Sequence, residues 1–554
     1  MKPFYIHKLS LFYKKAFLVL CFFLVSLPNI YAQAWFQKLY AMYRGDSTSG
    51  IGAVKQLADG NYILAGGIFT CPTISSCTNN NAMLIKTNNR GDVLWTRVMG
   101  GVRDDGLSKV VQTTDGNYVF AGETQSFGLQ ATANVYGEYI YVVKTNPNGD
   151  TLYTRIYGGT NTDYSHNNEI ADLQATSDGG FIMTAYINYK NFSPYAYSSI
   201  LVKCNAQGDT LWTKRYNTPN QLSIYHIKQV ADSGYVLSGA VADSVGAAHE
   251  NGFISRIDKK GNVLWAKMYG GVYDDYFNSI LKCGSGYLAV GGSLSFSAIH
   301  NTYMYAVRLD SLGDTLWTRV YGPANCNYGL SLSDSTAYML GLSASSLGTY
   351  AILKINTNTG ACLMKNYYGQ ADLISVCDVT QDGGFVISGG TSSYSSYLDY
   401  GILIKADSAG NTGCNQAIAT MTITSTQTNV NSITMQTYHY PMYVNSTQTH
   451  ITYGNLPDST LCSSPLGINE YLDNNKLVTV YPNPAQSSLQ IIADDGPITE
   501  VKIYDLLGNQ IKSEELKTQN SITQMDVNSL TNGVYFIQVK TSTNIYTQKI
   551  IVQH

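Results

Sequence analysis

Asp59-Gly60-Asn61-Tyr62-Ile63-Leu64-Ala65-Gly66 returns as Asp115-Gly116-Asn117-Tyr118-Val119-Phe120-Ala121-Gly122, and this stretch decides the fold. The Asp-Gly step makes a tight turn, and the aromatic-aliphatic run after it suits a buried strand. Diverged copies begin at Asp178, Asp232, Ser285, Asp334 and Asp382. Their lead aromatics, Tyr62, Tyr118, Phe181, Tyr235, Tyr287, Tyr338 and Phe385, stand 47 to 63 residues apart. That period lies at or just above the ~40–50 residues of a four-stranded propeller blade.

Three further elements surround each copy. One is a short strand before the turn, such as Lys109–Thr113. Another is a strand ending in a basic residue, as in Leu84-Ile85-Lys86-Thr87 and Val142-Val143-Lys144-Thr145. The last is Gly91-Asp92-Val93-Leu94-Trp95-Thr96-Arg97, matched from Gly149, Gly208, Gly261, Gly313 and Gly360. The seventh copy stops at Gly410-Asn411-Thr412-Gly413 without its Leu-Trp strand, while an orphan strand, Trp35–Tyr40, opens the mature chain. Pairing the orphan into the last copy closes a ring and removes open sheet edges at the seam. The reading is therefore all-β: a seven-bladed β-propeller followed by a small C-terminal β-sandwich domain. All five tryptophans (Trp35, Trp95, Trp212, Trp265, Trp317) are assigned to one structural place in the repeat, with Tyr153 and Leu363 substituting in two copies.

The ends carry targeting information. His7, Lys8, Lys14 and Lys15 precede an apolar run from Ala16 to Leu27, and Ile30-Tyr31-Ala32 supplies a cleavage site. This is a secretory signal over 1–32, too short to span a bilayer. Cys21 follows the bulky Leu20, which argues against a lipoprotein box. Only 13% of residues are charged and the net charge is −3, which gives no reason to expect nucleic acid as a partner. Nine cysteines remain after cleavage; Cys71 with Cys77 could pair, and Cys414 and Cys462 bracket the inter-domain segment. No C-x-x-C pair is present, so a zinc or thioredoxin-type site is not expected.

The Asp-Gly-Gly-Tyr and Gly-Asp-x-Leu-Trp elements, over roughly 33–413, resemble the β-propeller repeats of secreted proteins from bacteria with a type IX secretion system. They are loosely similar to kelch and PQQ-like repeats. From 414 to 472 the composition turns to Thr, Ser, Asn and Gln, read as a polar spacer with room for a hairpin. The remainder, 473–554, holds Tyr481-Pro482-Asn483-Pro484-Ala485, then Val501-Lys502-Ile503-Tyr504-Asp505-Leu506-Leu507-Gly508, then Gly533-Val534-Tyr535-Phe536-Ile537, and Lys549-Ile550-Ile551-Val552. It resembles the type A C-terminal sorting domain of that secretion system. The resemblance implies the type IX machinery as a partner, passage across the outer membrane, and a place on the cell surface or in the medium.

Catalytic motifs are missing: no Gly-x-Ser-x-Gly, no His-Glu-x-x-His and no phosphate loop. No catalytic residue, metal ligand or cofactor is assigned. Asp104-Asp105 and Asp274-Asp275, with Asp163 nearby in a third copy, could hold Ca²⁺ or act as acid and base. Their recurrence between copies favours turn capping instead. Antiparallel strand order puts the long variable loops on one face of the ring, where recognition commonly sits. Their aromatics, Phe127, Tyr136, Tyr189, Phe192, Tyr195, Tyr197, Tyr394 and Tyr397, are the candidate ligand-binding residues, with coverage of apolar blade edges as the competing role. The sequence thus points to a non-enzymatic binding or adhesion module for an extracellular glycan or protein. A glycan-directed hydrolase or lyase and a structural surface scaffold stand as alternatives.

Overall fold

The computed structural model describes residues 35–43, 50–69, 79–128, 138–159, 168–188, 197–219, 221–242, 249–297, 301–322, 324–342, 350–368, 373–391, 398–413, 416–418, 422–439, 442–446, 450–454, 458–463, 478–493, 496–505, 509–516, 520–542 and 544–554. The chain divides into a body, Met1–Ser464, and a tail unit, Pro465–His554.

The body holds seven antiparallel sheets of five strands each. Sheet one runs Gly50–Gln56, Tyr62–Phe69, Asn80–Thr87 and Val93–Gly100 in chain order. The inner strands of sheets two to seven are Asp105–Gln112, Asn168–Ala175, Leu222–Gln229, Asp275–Cys283, Tyr328–Ser333 and Leu373–Val379. Each inner strand contacts the next, and that of sheet seven contacts that of sheet one. The second and third strands are buried almost end to end, as in Tyr118–Thr124 and Tyr139–Thr145, which explains their unbroken apolar sequence. The fourth strands are less buried, and each of three exposes its leucine (Leu94, Leu211, Leu264). In sheet seven the fourth strand is the N-terminal Phe36–Tyr43, paired with Leu398–Ala406.

The fifth strands correct the reading of 414–472. The segment's described residues, between 416 and 463, are not a spacer but add one outer strand to each of the seven sheets. Gln416–Ile418 joins sheet six, Thr422–Ser425 sheet five, Asn429–Ser432 sheet four, Gln436–His439 sheet three, Met442–Ser446 sheet two, His450–Gly454 sheet one and Asp458–Ser463 sheet seven. Short, polar outer strands such as Asn429–Ser432, exposed throughout, are the usual way to finish a sheet edge without inviting aggregation.

Successive sheets are joined at the turn between their third and fourth strands. The glycine there (Gly91, Gly149, Gly208, Gly261, Gly313, Gly360, Gly410) has φ between 71° and 83°, a conformation that disfavours other residues. A side chain of the preceding sheet, an aromatic ring in all but sheet six, packs closely against it, so a Cβ on Gly149 would sit 2.9 Å from Trp95 and one on Gly313 2.9 Å from Trp265. In six sheets a buried tyrosine four residues after that side chain donates to the same glycine's carbonyl. Tyr40 reaches Gly91 at 2.7 Å, Tyr157 Gly208 at 2.6 Å, Tyr216 Gly261 at 2.8 Å, Tyr269 Gly313 at 2.7 Å and Tyr321 Gly360 at 2.6 Å, and Tyr368 bonds Gly410 likewise. Only sheet one differs, with buried Met99 at that place.

Register also moves three assignments by one residue. The ring position faces the basic residue of the third strand: Trp95 faces Lys86, Tyr153 Lys144, Trp212 Lys203, Trp265 Arg256 and Trp317 Arg308. In sheet six that place belongs to Met364, opposite Lys354, not Leu363. In sheet seven it belongs to Phe36, opposite Lys405, so Trp35 aligns with the exposed leucines Leu94, Leu211 and Leu264. Sheet six also carries Ala337 where the lead aromatic was expected, and Tyr338 falls one residue later, opposite Lys354 as Ile63 is opposite Lys86.

The tail unit has a three-stranded sheet (Val478–Tyr481, Ser488–Ala493, Ile522–Asp526) and a four-stranded one (Ile498–Tyr504, Gln510–Glu515, Gly533–Thr541, Ile545–Val552). Their inward residues, among them Val480, Leu489, Ile491, Val501, Ile503 and Ile537, form one core.

Candidate functional site

The seven inner strands leave their unpaired edges facing the axis, around a cavity of about 660 Å³. An unpaired edge needs acceptors for its N–H groups, and side chains of the preceding sheet provide them. Asp172 accepts from Ile227 N at 3.0 Å, His226 Nδ1 from Ile280 N at 3.4 Å, Ser279 from Gly329 N at 3.1 Å and Asp378 from Gln56 N at 3.0 Å. The axial acids are thereby occupied with backbone. Burial lowers the pKa of His226 against the pull of Asp172, keeping Nδ1 free to accept.

Six inner strands bulge at one place, skipping Gly52, Ser108, Ala171, Tyr225, Asn278 and Ser375 in the ladder. Bulges re-aim side chains, and Ser108, Ala171, Tyr225 and Asn278 line the cavity.

Towards the variable-loop end, Tyr186, Tyr276 and Glu250 lie near Tyr225, and Glu123 lies near Glu169. The Tyr225 ring meets Tyr186 edge-on at 6.3 Å, and the Tyr186 hydroxyl donates to Ile224 O at 3.2 Å. Tyr276 donates to Asn325 Oδ1 at 2.6 Å. Glu123 accepts from Ile170 N at 2.9 Å. Burial pushes Glu123 up to about 7, opposed by that Ile170 bond, with Glu169 raising it further. Burial raises Glu250, with Asp274 adding to the effect. Burial also pushes Tyr225 and Tyr276 up to about 12, so both phenols stay protonated donors at neutral pH. Aromatic faces beside carboxylates that accept hydroxyl hydrogen bonds suit a polyhydroxylated ligand.

The raised carboxyl gives a pH signature. A fold that holds Glu123 protonated up to about 7, against an ordinary 4.5, is favoured below the ordinary value and loses that advantage as pH rises towards 7. His226 runs the other way, losing stability as pH falls through its ordinary 6.5. Glu123→Gln keeps the acceptor for Ile170 and removes the first effect alone. The variant is expected to have a higher urea midpoint than the parent at pH 8 and nearly the same midpoint at pH 5. Parallel pH profiles for the two proteins would contradict the assignment.

The recurrent acid pairs cap backbone. Asp105 accepts from Gly101 N at 2.7 Å, Ser126 Oγ at 2.7 Å and Thr124; Asp275 accepts from Gly271 N at 2.8 Å and Ser295 Oγ at 2.7 Å. Asp104 and Asp274 accept from Asn80 N and Glu250 N. Asp163 lies outside the described residues. Among the described residues no group of three or more His, Cys, Asp or Glu is placed to hold a metal ion, and no helix is long and apolar enough to cross a membrane. Cys204, Cys283, Cys326, Cys362 and Cys377 are free thiols. Cys71, Cys77 and Cys414, and the side chain of Cys462, lie outside the description.

Of the expected ligand-binding aromatics, Tyr136, Tyr189, Phe192, Tyr195, Tyr394 and Tyr397 lie outside the described residues. Tyr197 opens the strand Tyr197–Cys204. Phe127 is half-buried, 5.8 Å from the Tyr141 ring, packed on the core between sheets one and two. Sequence reading missed Glu123, Tyr186, Tyr225 and Tyr276, although one signal was available. Five residues after the lead position, the copies read Gly67, Glu123, Tyr186, Ala240, Gly292, Leu342 and Gly390. A large polar or aromatic residue where other copies have glycine marks a departure from the repeat.

In the tail, Tyr481 ends its strand partly exposed before Pro482, Asn483 and Pro484. Asn483 Oδ1 accepts from Ile551 N at 2.8 Å, and Ala485 bridges Val552. Tyr535 donates to Thr531 O at 2.9 Å, near the start of the strand that Gly533 opens. Tyr504 ends Ile498–Tyr504, and Lys549 lies in Ile545–Val552. Gly508 is outside the described residues.

Comparison with known families bears on the tail directly. Residues 479–553 match the family described as the secretion system C-terminal sorting domain. The chain is therefore exported by type IX secretion to the cell surface or beyond. Among solved structures it is similar to the polysaccharide lyase Uly1 at 9% identity, covering 69% of this chain and 94% of that one, with TM-score 0.40. It is also similar to a GH43_12 protein retrieved from capybara gut metagenome at 10% identity, covering 71% and 84%, with TM-score 0.24. No curated protein matches the chain.

Proposed function

We propose that this protein is a seven-bladed β-propeller, exported through an N-terminal signal peptide and a sorting β-sandwich, that binds an extracellular glycan without chemically altering it. The observation that carries this reading is the cluster of Tyr186, Tyr225 and Tyr276 with Glu123, Glu169 and Glu250 at the variable-loop end of the axis. It offers ring faces for stacking and carboxylates for hydroxyl groups. Two features favour recognition over catalysis. The axial Asp172 and Asp378 are engaged with backbone N–H groups, and the recurrent Asp105 and Asp275 accept several hydrogen bonds within their own turns.

Alanine at Tyr225 tests the reading, because its ring sits on a bulge and lines the cavity. Loss of a stacking face and its contacts costs roughly 1.5–3 kcal/mol, or about ten- to a hundredfold in glycan affinity. Phe127→Ala is the control for aromatic packing: it should lower the melting temperature and spare binding. Unchanged binding in Tyr225→Ala, or loss in Phe127→Ala alone, would move the site elsewhere.

A further inference from the structure

The geometry points to an anion-binding site in the axial cavity, in which Lys109 and Lys228 hold an oxyanion group such as a sulfate or carboxylate. The site shares the cavity with Tyr225, goes beyond the glycan reading, and does not depend on it.

Four lysines line the cavity, Lys55, Lys109, Lys228 and Lys282, against two aspartates, Asp172 and Asp378. The chain as a whole carries −3, so this excess of cations is local. Both aspartates are committed. Asp378 takes Lys55 Nζ at 3.0 Å and Gln56 N at 3.0 Å, and Asp172 takes Ile227 N at 3.0 Å and Leu173 N at 2.8 Å. Lys282 turns away to the carbonyls of Gly284 and Gly286. That leaves Lys109 and Lys228, on the inner strands of sheets two and four, with no ion pair among the described residues.

Ammonium groups that line one cavity without an ion pair of their own repel each other, and an anion between them relieves that cost. Desolvation in the cavity lowers the pKa of Lys228, Asp172 opposes this and Lys55 adds to it, while the side chain keeps access to solvent. Neighbouring polar groups can complete the shell: Ser108, Asn278 and Gln174 line the same space. The cavity's volume of about 660 Å³ is ample for a sulfate or a sugar-borne acidic group.

The test is thermal melting of the full exported chain at fixed ionic strength, with millimolar sulfate, glucose 6-sulfate or glucuronate replacing chloride. The parent's melting temperature should rise saturably with at least one of them. Lys228→Gln, and separately Lys109→Gln, should shift half-saturation about tenfold or more, while Lys260→Gln on the exposed surface leaves it unchanged. A response to inorganic sulfate identifies a free ion as sufficient; a response only to the sugar-borne groups identifies an acidic glycan substituent. Either supports the site. No saturable rise, or the same rise in both cavity variants, overturns it. Because Tyr225→Ala leaves both lysines in place, loss of glycan binding and loss of the anion response remain separable.

Discussion

Truncation after residue 413 is expected to leave an aggregating or molten body, whereas truncation after residue 464 leaves one that melts cooperatively. The difference is the return segment that supplies the fifth strand of all seven sheets. Without it, fourth strands such as Val263–Gly270 and Thr315–Gly322 become open edges, ready to pair with other chains. The lost backbone hydrogen bonds contribute about 1 kcal/mol each at most after solvent exchange. Seven strands' worth still matches or exceeds the roughly 5–15 kcal/mol by which domains are stable. Circular dichroism melts and size-exclusion profiles of the two truncations distinguish the outcomes. Equal melting temperatures would mean that the outer strands are ornamental. In cells the longer truncation lacks residues 479–553 and should accumulate folded in the periplasm.

Deleting residues 33–42 should be nearly as damaging. The strand Phe36–Tyr43 lies between Leu398–Ala406 on one side and Asp458–Ser463 on the other, so its loss splits sheet seven internally. Phe36, Leu39 and Tyr40 are buried, each contributing about 1.5–3 kcal/mol through burial. The link to sheet one goes with them: the Tyr40–Gly91 bond at 2.7 Å, the Lys38–Asp92 ion pair at 2.6 Å and the Phe36–Tyr62 ring contact at 5.9 Å. A fall of roughly 10 °C or more in melting temperature follows. An unchanged melting temperature would refute closure of the body by this strand.

The repeats were legible because their chemistry is local. Turn residues announce themselves, as when Asp59 Oδ1 accepts from Asn61 N at 3.0 Å or Asn88 Oδ1 from Arg90 N at 2.8 Å, and the second and third strands of each sheet are apolar enough to stand out. Faces were less legible. Leu363 and Met364, or Trp35 and Phe36, are adjacent apolar residues, and strand periodicity alone does not say which one turns inward; a slip of one reverses both. The outer strands were hidden for a different reason. Strands such as Asn429–Ser432 are only four residues long and exposed throughout, too short to display the alternation by which a strand is recognised. Only their recurrence every six to eight residues between 416 and 463 betrays them. The aromatic-acidic cluster was hidden because Glu123 and Tyr186 sit inside strands, whereas loops drew the search.

The most direct test of the binding reading is a glycan array probed with the full exported chain, followed by mass spectrometry of every captured glycan after prolonged incubation. Saturable binding is expected, weakened in Tyr225→Ala, with each glycan recovered at its original mass. Shortened chains or unsaturated sugar ends in the parent incubation, absent with Glu123→Gln, would contradict it and make the protein a glycan-cleaving enzyme.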